Sequence, residues 1–205
     1  ASHTNLKESL KDGRISVIPG YYGMTLKGDI AVLSRGGSDL TGGEVAFAMD
    51  ASCYENWTDT DGVFQVDPRI IPEASVIPVL TYKEIRLLSS KGFNVFHFDA
   101  MVSCKNKGIP INVRNTDNPA APGTLIVESR EPRETAIGIA RMDGIAYVYI
   151  EKDMIGETIG FTKDLLDIFQ DFGINTHHYP SDKDDIAVIV DQVDLRDKAD
   201  DLKST

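Results

Sequence analysis

Ser34-Arg35-Gly36-Gly37-Ser38-Asp39-Leu40-Thr41-Gly42-Gly43 follows directly on the apolar run Ile30-Ala31-Val32-Leu33. An apolar run ending in paired glycines reads as a buried strand that turns tightly and leaves backbone N–H groups exposed. Ser38, Asp39 and Thr41 are residue types that open helices, and a helix N-terminus attracts anions. Arg35 adds a fixed cation suited to a carboxylate or a phosphate. The small side chains of Gly36, Gly37 and Ser38 allow a ligand close to the main chain. Taken alone, the stretch also reads as a glycine-rich strand-to-helix turn with ordinary capping. Four glycines, an arginine and an aspartate within nine positions favour an anion site. The common phosphate-binding fingerprints are absent: there is no G-x-x-x-x-G-K-[ST] and no pair of glycines spaced G-x-G.

Outward from this stretch, strand and helix patterns alternate. Residues 5–12 look like the tail of a helix, and residues 15–18 form an apolar run stopped by Pro19-Gly20, a buried strand in type. Residues 45–52 read as helix, with Val45 and Met49 one turn apart. Thr81 and Glu84 form a capping box for a helix through Ser90, which Gly92 is placed to end. Residues 94–97 and 109–113 read as short strands flanking a helical 99–105. The alternation predicts an α/β domain whose mostly parallel sheet is covered by helices on both faces.

From about residue 135 the rhythm changes. Residues 145–150 are strand-like, and 161–172 form an amphipathic helix with Phe161, Leu165, Ile168 and Phe172 at helical spacing, capped by Gly173. Residues 174–179 and 186–190 read as two strands joined by a polar turn, and a last helix starts near Asp191. The order βαββα is one strand short of a ferredoxin-like module, as though the chain had been cut.

The 205 residues are 41% apolar and 26% charged, enough for a packed core and against disorder as the main state. No apolar stretch is long enough to span a bilayer, and the first residues do not read as a signal peptide. The net charge of −11, with no basic run, argues against a nucleic-acid or membrane-surface binder. Two distant cysteines, Cys53 and Cys104, make neither a disulfide framework nor a zinc site, so a reducing, cytoplasmic location is the expectation. Residues 1–130 hold 13 Lys/Arg against 15 Asp/Glu, net −2, whereas residues 131–205 hold 8 against 17, net −9. This step in charge, at Glu131-Pro132-Arg133-Glu134, marks the expected boundary between domains 1–130 and 131–205.

Asn56-Trp57-Thr58-Asp59-Thr60-Asp61-Gly62, with Phe64 and Asp67-Pro68-Arg69 behind it, is the second informative stretch. It is not a calcium loop: with Gly62 in the sixth place, the first ligand would be Trp57 and the last Pro68. Thr58 and Asp59 at a strand end suit a nucleotide's ribose or base, with Arg69 near its phosphates. By composition alone, a β-turn and a Pro-terminated loop is the favoured reading. His177 and His178 point to opposite faces of a strand and cannot easily share one metal ion. His97 reads as structural, neither cysteine has a partner for nucleophilic work, and the acidic tail after Asp191 reads as a solvated helix face.

Ser34-Arg35-Gly36-Gly37-Ser38-Asp39-x-Thr41 resembles the signature of the aspartokinases. W-T-D-x-x-G and D-P-R elements follow at Trp57 to Arg69, in the family's order and at similar spacing. Thr81-Tyr82-x-Glu84, Gly92-x-x-Val95-x-His97, Ile109-Pro110-Ile111, Asn115-Thr116 and residues 119–124 continue the set, which covers roughly residues 14–127. Residues 135–200 resemble the ACT-type regulatory module that follows the kinase in that family. The resemblance implies the C-terminal part of an amino-acid-kinase αβα sandwich, then an ACT module lacking its last strand. It implies transfer of the γ-phosphoryl of ATP, with Mg2+, to the side-chain carboxylate of L-aspartate, on the route to lysine, threonine and methionine.

By position, the resemblance implies that Arg35 clamps an aspartate carboxylate, with Gly36, Gly37 and Ser38 holding the amino acid. Asp39 would sit at the reacting centre, orienting a catalytic lysine and the metal. Thr58, Asp59 and Phe64 would line the nucleotide pocket, Arg69 would face the phosphates, and Asn94 stands where the family often has a phosphate-reaching lysine. Met154, Gly156, Glu157, Gly160 and Phe161 would border a pocket for an end-product amino acid, lysine or threonine. ACT modules usually pair edge to edge, which implies a homodimer.

The family's lysine-bearing K-F-G-G motif does not occur in this sequence, so the 205 residues are expected to be inactive alone. Two other readings stand beside this one: an amino-acid-sensing protein with a non-catalytic kinase-like scaffold, and a relative acting on another amino acid such as glutamate.

Overall fold

The computed structural model describes residues 2–10, 13–34, 36–89, 98–132 and 135–204. The chain divides into two compact units, residues 1–141 and 142–205.

The first unit opens with helix α1 (Ser2–Ser9) and an antiparallel hairpin of β1 (Tyr22–Met24) and β2 (Ile30–Val32). Helix α2 (Gly37–Ala48) and strand β3 (Tyr54–Thr58) follow, and β4 (Val79–Thr81) runs straight into α3 (Tyr82–Ser89). Helix α4 (Phe98–Lys107), β5 (Ile111–Asn115) and β6 (Thr124–Val127) complete it. The last four strands form one sheet in the order β3-β5-β6-β4, in which β3/β5 and β4/β6 are parallel and β5/β6 antiparallel.

Period-2 alternation turns Ile111, Val113, Ile126 and Leu80 to one face, where all four are fully buried. There they pack with Ile85 and Leu88 of α3, Met101 and Cys104 of α4, and Ala46 of α2. Burial pushes the Cys104 thiol up to about 11, which keeps it a neutral core side chain. The buried hydroxyl of Thr124 donates to Ile77 O at 2.7 Å and accepts the Val63 N–H at 2.8 Å, tying the loop after β3 to β6. Ile137 and Ala140 also pack on this core, so the division between units falls after the charge step at residue 131.

Two expected buried strands differ. Residues 15–18 form no strand, and Ile15 and Val17 are 98% and 93% exposed. Residues 30–32 are a strand, but a hairpin one whose Ile30 and Val32 lie largely exposed. The reason is the same for both: among the described residues, no further strand flanks this hairpin to bury it. The expected strand at 94–97, with His97, and the helix end at Gly92 lie outside the described residues.

The capping box at α3 is present. The Thr81 N–H and hydroxyl both donate to Glu84 Oε2, at 2.7 and 2.9 Å, and the Glu84 N–H returns to Thr81 Oγ1 at 3.2 Å. Arg130 grips the same carboxylate in a fork, Nε to Oε2 at 3.0 Å and Nη2 to Oε1 at 2.9 Å. The Arg130 hydrogen bonds, helped by Thr81 and opposed by partial burial, hold the Glu84 carboxyl below its usual range. Glu84→Ala is expected to destabilise the first unit by about 2–3 kcal/mol at neutral pH, read as a lower urea midpoint. Because the folded-state value is depressed, this stabilisation is present above the ordinary value of 4.5 and fades as pH falls through the lower folded value. The difference from wild type should therefore shrink in acid; a difference constant from pH 7 to pH 3 contradicts the assignment.

The second unit is β7 (Ile145–Glu151), a short 3-10 turn (Ile155–Glu157), α5 (Phe161–Asp171), β8 (Thr176–His178), β9 (Asp185–Asp191), α6 (Gln192–Leu195) and α7 (Ala199–Ser204). Its sheet is antiparallel in the order β7-β9-β8. Phe169, Ile174, Val188 and Val190 form the core, with Val148, Leu165 and Leu202 against it. The ring of His177 lies 3.1 Å from Asp191 on the neighbouring strand, and among the described residues no cluster of three or more His, Cys, Asp or Glu side chains could hold a metal. No described helix is long and apolar enough to cross a membrane.

Candidate functional site

The glycine pair makes the turn that starts α2. Gly36 sits at φ 85°, the left-handed region that favours glycine, and its carbonyl accepts the Leu40 N–H at 3.1 Å. The Gly37 N–H closes the turn onto Ser34 O at 3.0 Å. The helix therefore begins at Gly37, eight residues before the apolar spacing of Val45 and Met49 alone would place it, and Ser38 and Asp39 lie in its first turn. Gly37, Gly43, Ala46 and Ala48 are its buried positions, which leaves Ser38 exposed. The Ser38 N–H has no acceptor among the described residues, and the residue borders a surface groove of about 490 Å³ with Gly20, Thr41 and Tyr54. Arg35 lies outside the described residues.

Asp39, half-buried, faces β3. Its Oδ1 accepts Asn56 Nδ2 at 3.1 Å, and its carbonyl accepts the Tyr54 hydroxyl at 3.4 Å. Asn56 Nδ2 also donates to Tyr54 Oη at 3.1 Å. Burial first, and then the charge of Asp39, push the Tyr54 hydroxyl up to about 12, against the Asn56 hydrogen bond that lowers it. Tyr54 therefore stays a donor at any physiological pH.

Two residues beyond Asn56 on the same face, about 7 Å along the strand, β3 ends at Thr58. The Thr58 carbonyl takes both the N–H and the hydroxyl of Thr116, at 2.8 and 3.0 Å, and its own hydroxyl donates to Asp59 at 3.2 Å. Asp61 Oδ1 is held by Asn115 and Asn118, at 2.8 and 3.1 Å. Thr58, Asp59 and Asp61 thus gather at the C-terminal ends of the parallel strands β3 and β5, the edge where open α/β sheets bind ligands.

The other candidates are engaged elsewhere. Phe64 packs half-buried against the core of the first unit. Arg69 forks onto Asp67, Nε to Oδ1 at 3.0 Å and Nη2 to Oδ2 at 2.7 Å, and holds that carboxyl below its ordinary value. Asn94 lies outside the described residues.

The candidate effector residues fall on the loop from β7 to α5. Met154 adopts a left-handed conformation at φ 64° and gives its N–H to Asp184 at 2.8 Å, while the Gly156 N–H goes to Lys183 O at 2.9 Å. Gly156, Glu157 and Gly160 are exposed and Phe161 half-buried. Asn56 and Asp61, quoted within the second informative stretch, and Asn115, quoted in the family's set, were given no role by sequence, and Tyr54 was not singled out. The available signal was the alternation Tyr54-x-Asn56-x-Thr58, which puts two polar residues on the face of a strand that leads to the nucleotide candidates.

The amino acid kinase family model matches residues 2–115. Aspartokinase 3 of Bacillus subtilis is 38% identical over 192 residues, which is 93% of this chain and 42% of that protein. The crystal structure of the Clostridium acetobutylicum aspartate kinase, described as an allosteric enzyme, superposes with a TM-score of 0.91 at 36% identity, covering 99% of this chain and 48% of that one. Aspartokinase III of Escherichia coli, solved with lysine and aspartate and again with aspartate and ADP, gives TM-scores of 0.64 and 0.62 at 26% and 25% identity. Those two matches cover 84% of this chain and 39% and 38% of theirs, so the chain spans less than half the length of these relatives.

Proposed function

The chain belongs to the amino acid kinase family, and from that membership we propose that it forms the nucleotide-side part and an adjoining effector module of an aspartate kinase. The reaction is transfer of the γ-phosphoryl of ATP to the side-chain carboxylate of L-aspartate, giving 4-phospho-L-aspartate at the head of lysine, threonine and methionine synthesis. One observation carries the reading. The bond between Asp39 and Asn56 joins the first turn of the glycine-turn helix to the strand that ends at Thr58, so Asp39 and the nucleotide candidate Thr58 are tied to one strand.

Phosphoryl transfer asks for positioning and charge neutralisation more than for covalent chemistry. The Ser38 amide, which has no acceptor among the described residues, and the Arg35 guanidinium hold the amino acid's carboxylate. Thr58 and Asp59 take the ribose or base, and Arg69, released from Asp67, turns to the phosphates. A Mg2+ ion fits a site built from one carboxylate and substrate phosphates, and Asp39 is the carboxylate at hand. Such an ion supplies charge neutralisation to the phosphates; the chain's own part is to hold Asp39 in place.

The exposed loop residues Met154, Gly156, Glu157 and Gly160, with the half-buried Phe161 at the start of α5, bind the effector, lysine or threonine. Their ligand contacts come from groups other than the Met154 and Gly156 amides, which are already bonded. The second units of two copies pair into a homodimer, and the enzyme works in the cytoplasm.

The test is ADP release from Mg-ATP by a full-length polypeptide containing these residues. Turnover that depends on L-aspartate, is slowed by lysine or threonine, and is absent from the 205 residues alone is the expected result. Equal turnover with glutamate, or none with aspartate, sinks the reading.

A further inference from the structure

Asn56 is 9% exposed in the middle of a strand, a place where an apolar side chain is the ordinary choice and a polar one costs stability unless it is bonded. Its amide nitrogen has two N–H groups, and they go to Asp39 Oδ1 and Tyr54 Oη, both at 3.1 Å. Tyr54 Oη in turn donates to the Asp39 carbonyl. The three bonds form a closed ring that grips Asp39 by side chain and main chain together. One carboxylate oxygen, Oδ1, is thereby fixed, and Oδ2 has no hydrogen-bond partner among the described residues.

The helix is shaped to admit this ring. A Cβ on Gly42, one turn after Asp39, would lie 2.4 Å from Tyr54 Oη and 2.7 Å from its Cζ. A side chain at residue 42 would therefore have to displace the Tyr54 ring, and with it the hydroxyl that reaches Asp39.

We propose that Asn56, braced by Tyr54, is a positioning residue for the phosphoryl-transfer step, fixing the Asp39 carboxylate from the strand that carries the nucleotide candidates. The inference rests on the reading of Asp39 as a group at the reacting centre. A carboxylate held beforehand needs no reorganisation when charge develops, which is where fixed dipoles and charges act most strongly.

In the full-length enzyme, Asn56→Val is expected to lower kcat roughly tenfold, with KM for aspartate and for ATP each within about twofold of wild type. In an Asp39→Asn background the same change should cost less than about twofold more, because Asn56 acts through Asp39. Tyr54→Phe keeps the ring and removes only the hydroxyl; it should lower kcat about threefold and be equally silent in the Asp39→Asn background. It carries the test should Asn56→Val fail to fold. An unchanged kcat in the folded variants, or a loss undiminished in the Asp39→Asn background, overturns the proposal. An Asp39→Asn enzyme with wild-type kcat overturns the reading of Asp39 as well, which separates the two failures.

Discussion

Asp39→Asn in the full-length enzyme should lower kcat by about 10²–10³-fold, the range seen when one preorganised electrostatic group is removed from a transition state. The substitution is close to isosteric. An asparagine oxygen can still accept from Asn56 Nδ2, and the main-chain bond from Tyr54 to residue 39 is untouched, so the first turn of α2 keeps its shape. What is removed is the negative charge that would hold the metal and the catalytic lysine. Binding of aspartate should change much less, because its carboxylate is assigned to Arg35 and the Ser38 amide. A kcat within threefold of wild type, in a variant that binds both substrates normally, removes Asp39 from the chemistry.

Phe169→Ala should unfold most of the second unit while leaving the first intact. Phe169 is 1% exposed on α5 and packs in the core with Ile174, Val188 and Val190. Truncating a buried phenylalanine costs about 3–5 kcal/mol through lost transfer energy and the cavity left behind. A unit of this size has only about 3–10 kcal/mol in total at ~0.05–0.15 kcal/mol per residue. Hydrogen exchange should therefore show β7 and β9 losing protection while β3 and β5 retain theirs. Ile159→Ala is the control: that side chain is fully exposed, at 101%, and its loss should change nothing. Equal protection in the two variants contradicts the assigned core.

The sequence was most legible where local chemistry and tertiary contacts agree. Thr81 and Glu84 made the capping box, and the apolar spacing of Phe161, Leu165 and Ile168 made α5, because neither depends on distant partners. The turn at Gly36 was readable since a left-handed residue after a strand nearly requires glycine. The helix-opening residue types Ser38, Asp39 and Thr41 marked the start of α2, whereas apolar spacing alone began the helix only at Val45, because the first turn, Gly37 to Leu40, carries no apolar periodicity. Residues 15–18 look like a strand in isolation, yet a strand exists only by virtue of a neighbour, and none of the described strands supplies one. Asn56 and Tyr54 were given no role for a related reason. Their importance is a contact with Asp39 across seventeen and fifteen positions, invisible to local pattern. Arg69 was readable as part of a motif, but not its present partner: its guanidinium is closed onto Asp67, two residues away, and must leave it to reach a phosphate.

The glycine turn before α2 is the element on which the functional reading turns, as a seat for the amino acid's carboxylate rather than for the nucleotide or for nothing. Steady-state kinetics of Arg35→Ala in the full-length enzyme tests it most directly. Loss of a charge-assisted hydrogen bond to substrate, worth about 1.5–3 kcal/mol, should raise the aspartate KM by roughly 10–100-fold and leave the ATP KM within about twofold. Equal increases in both constants, or no change in either, contradict it.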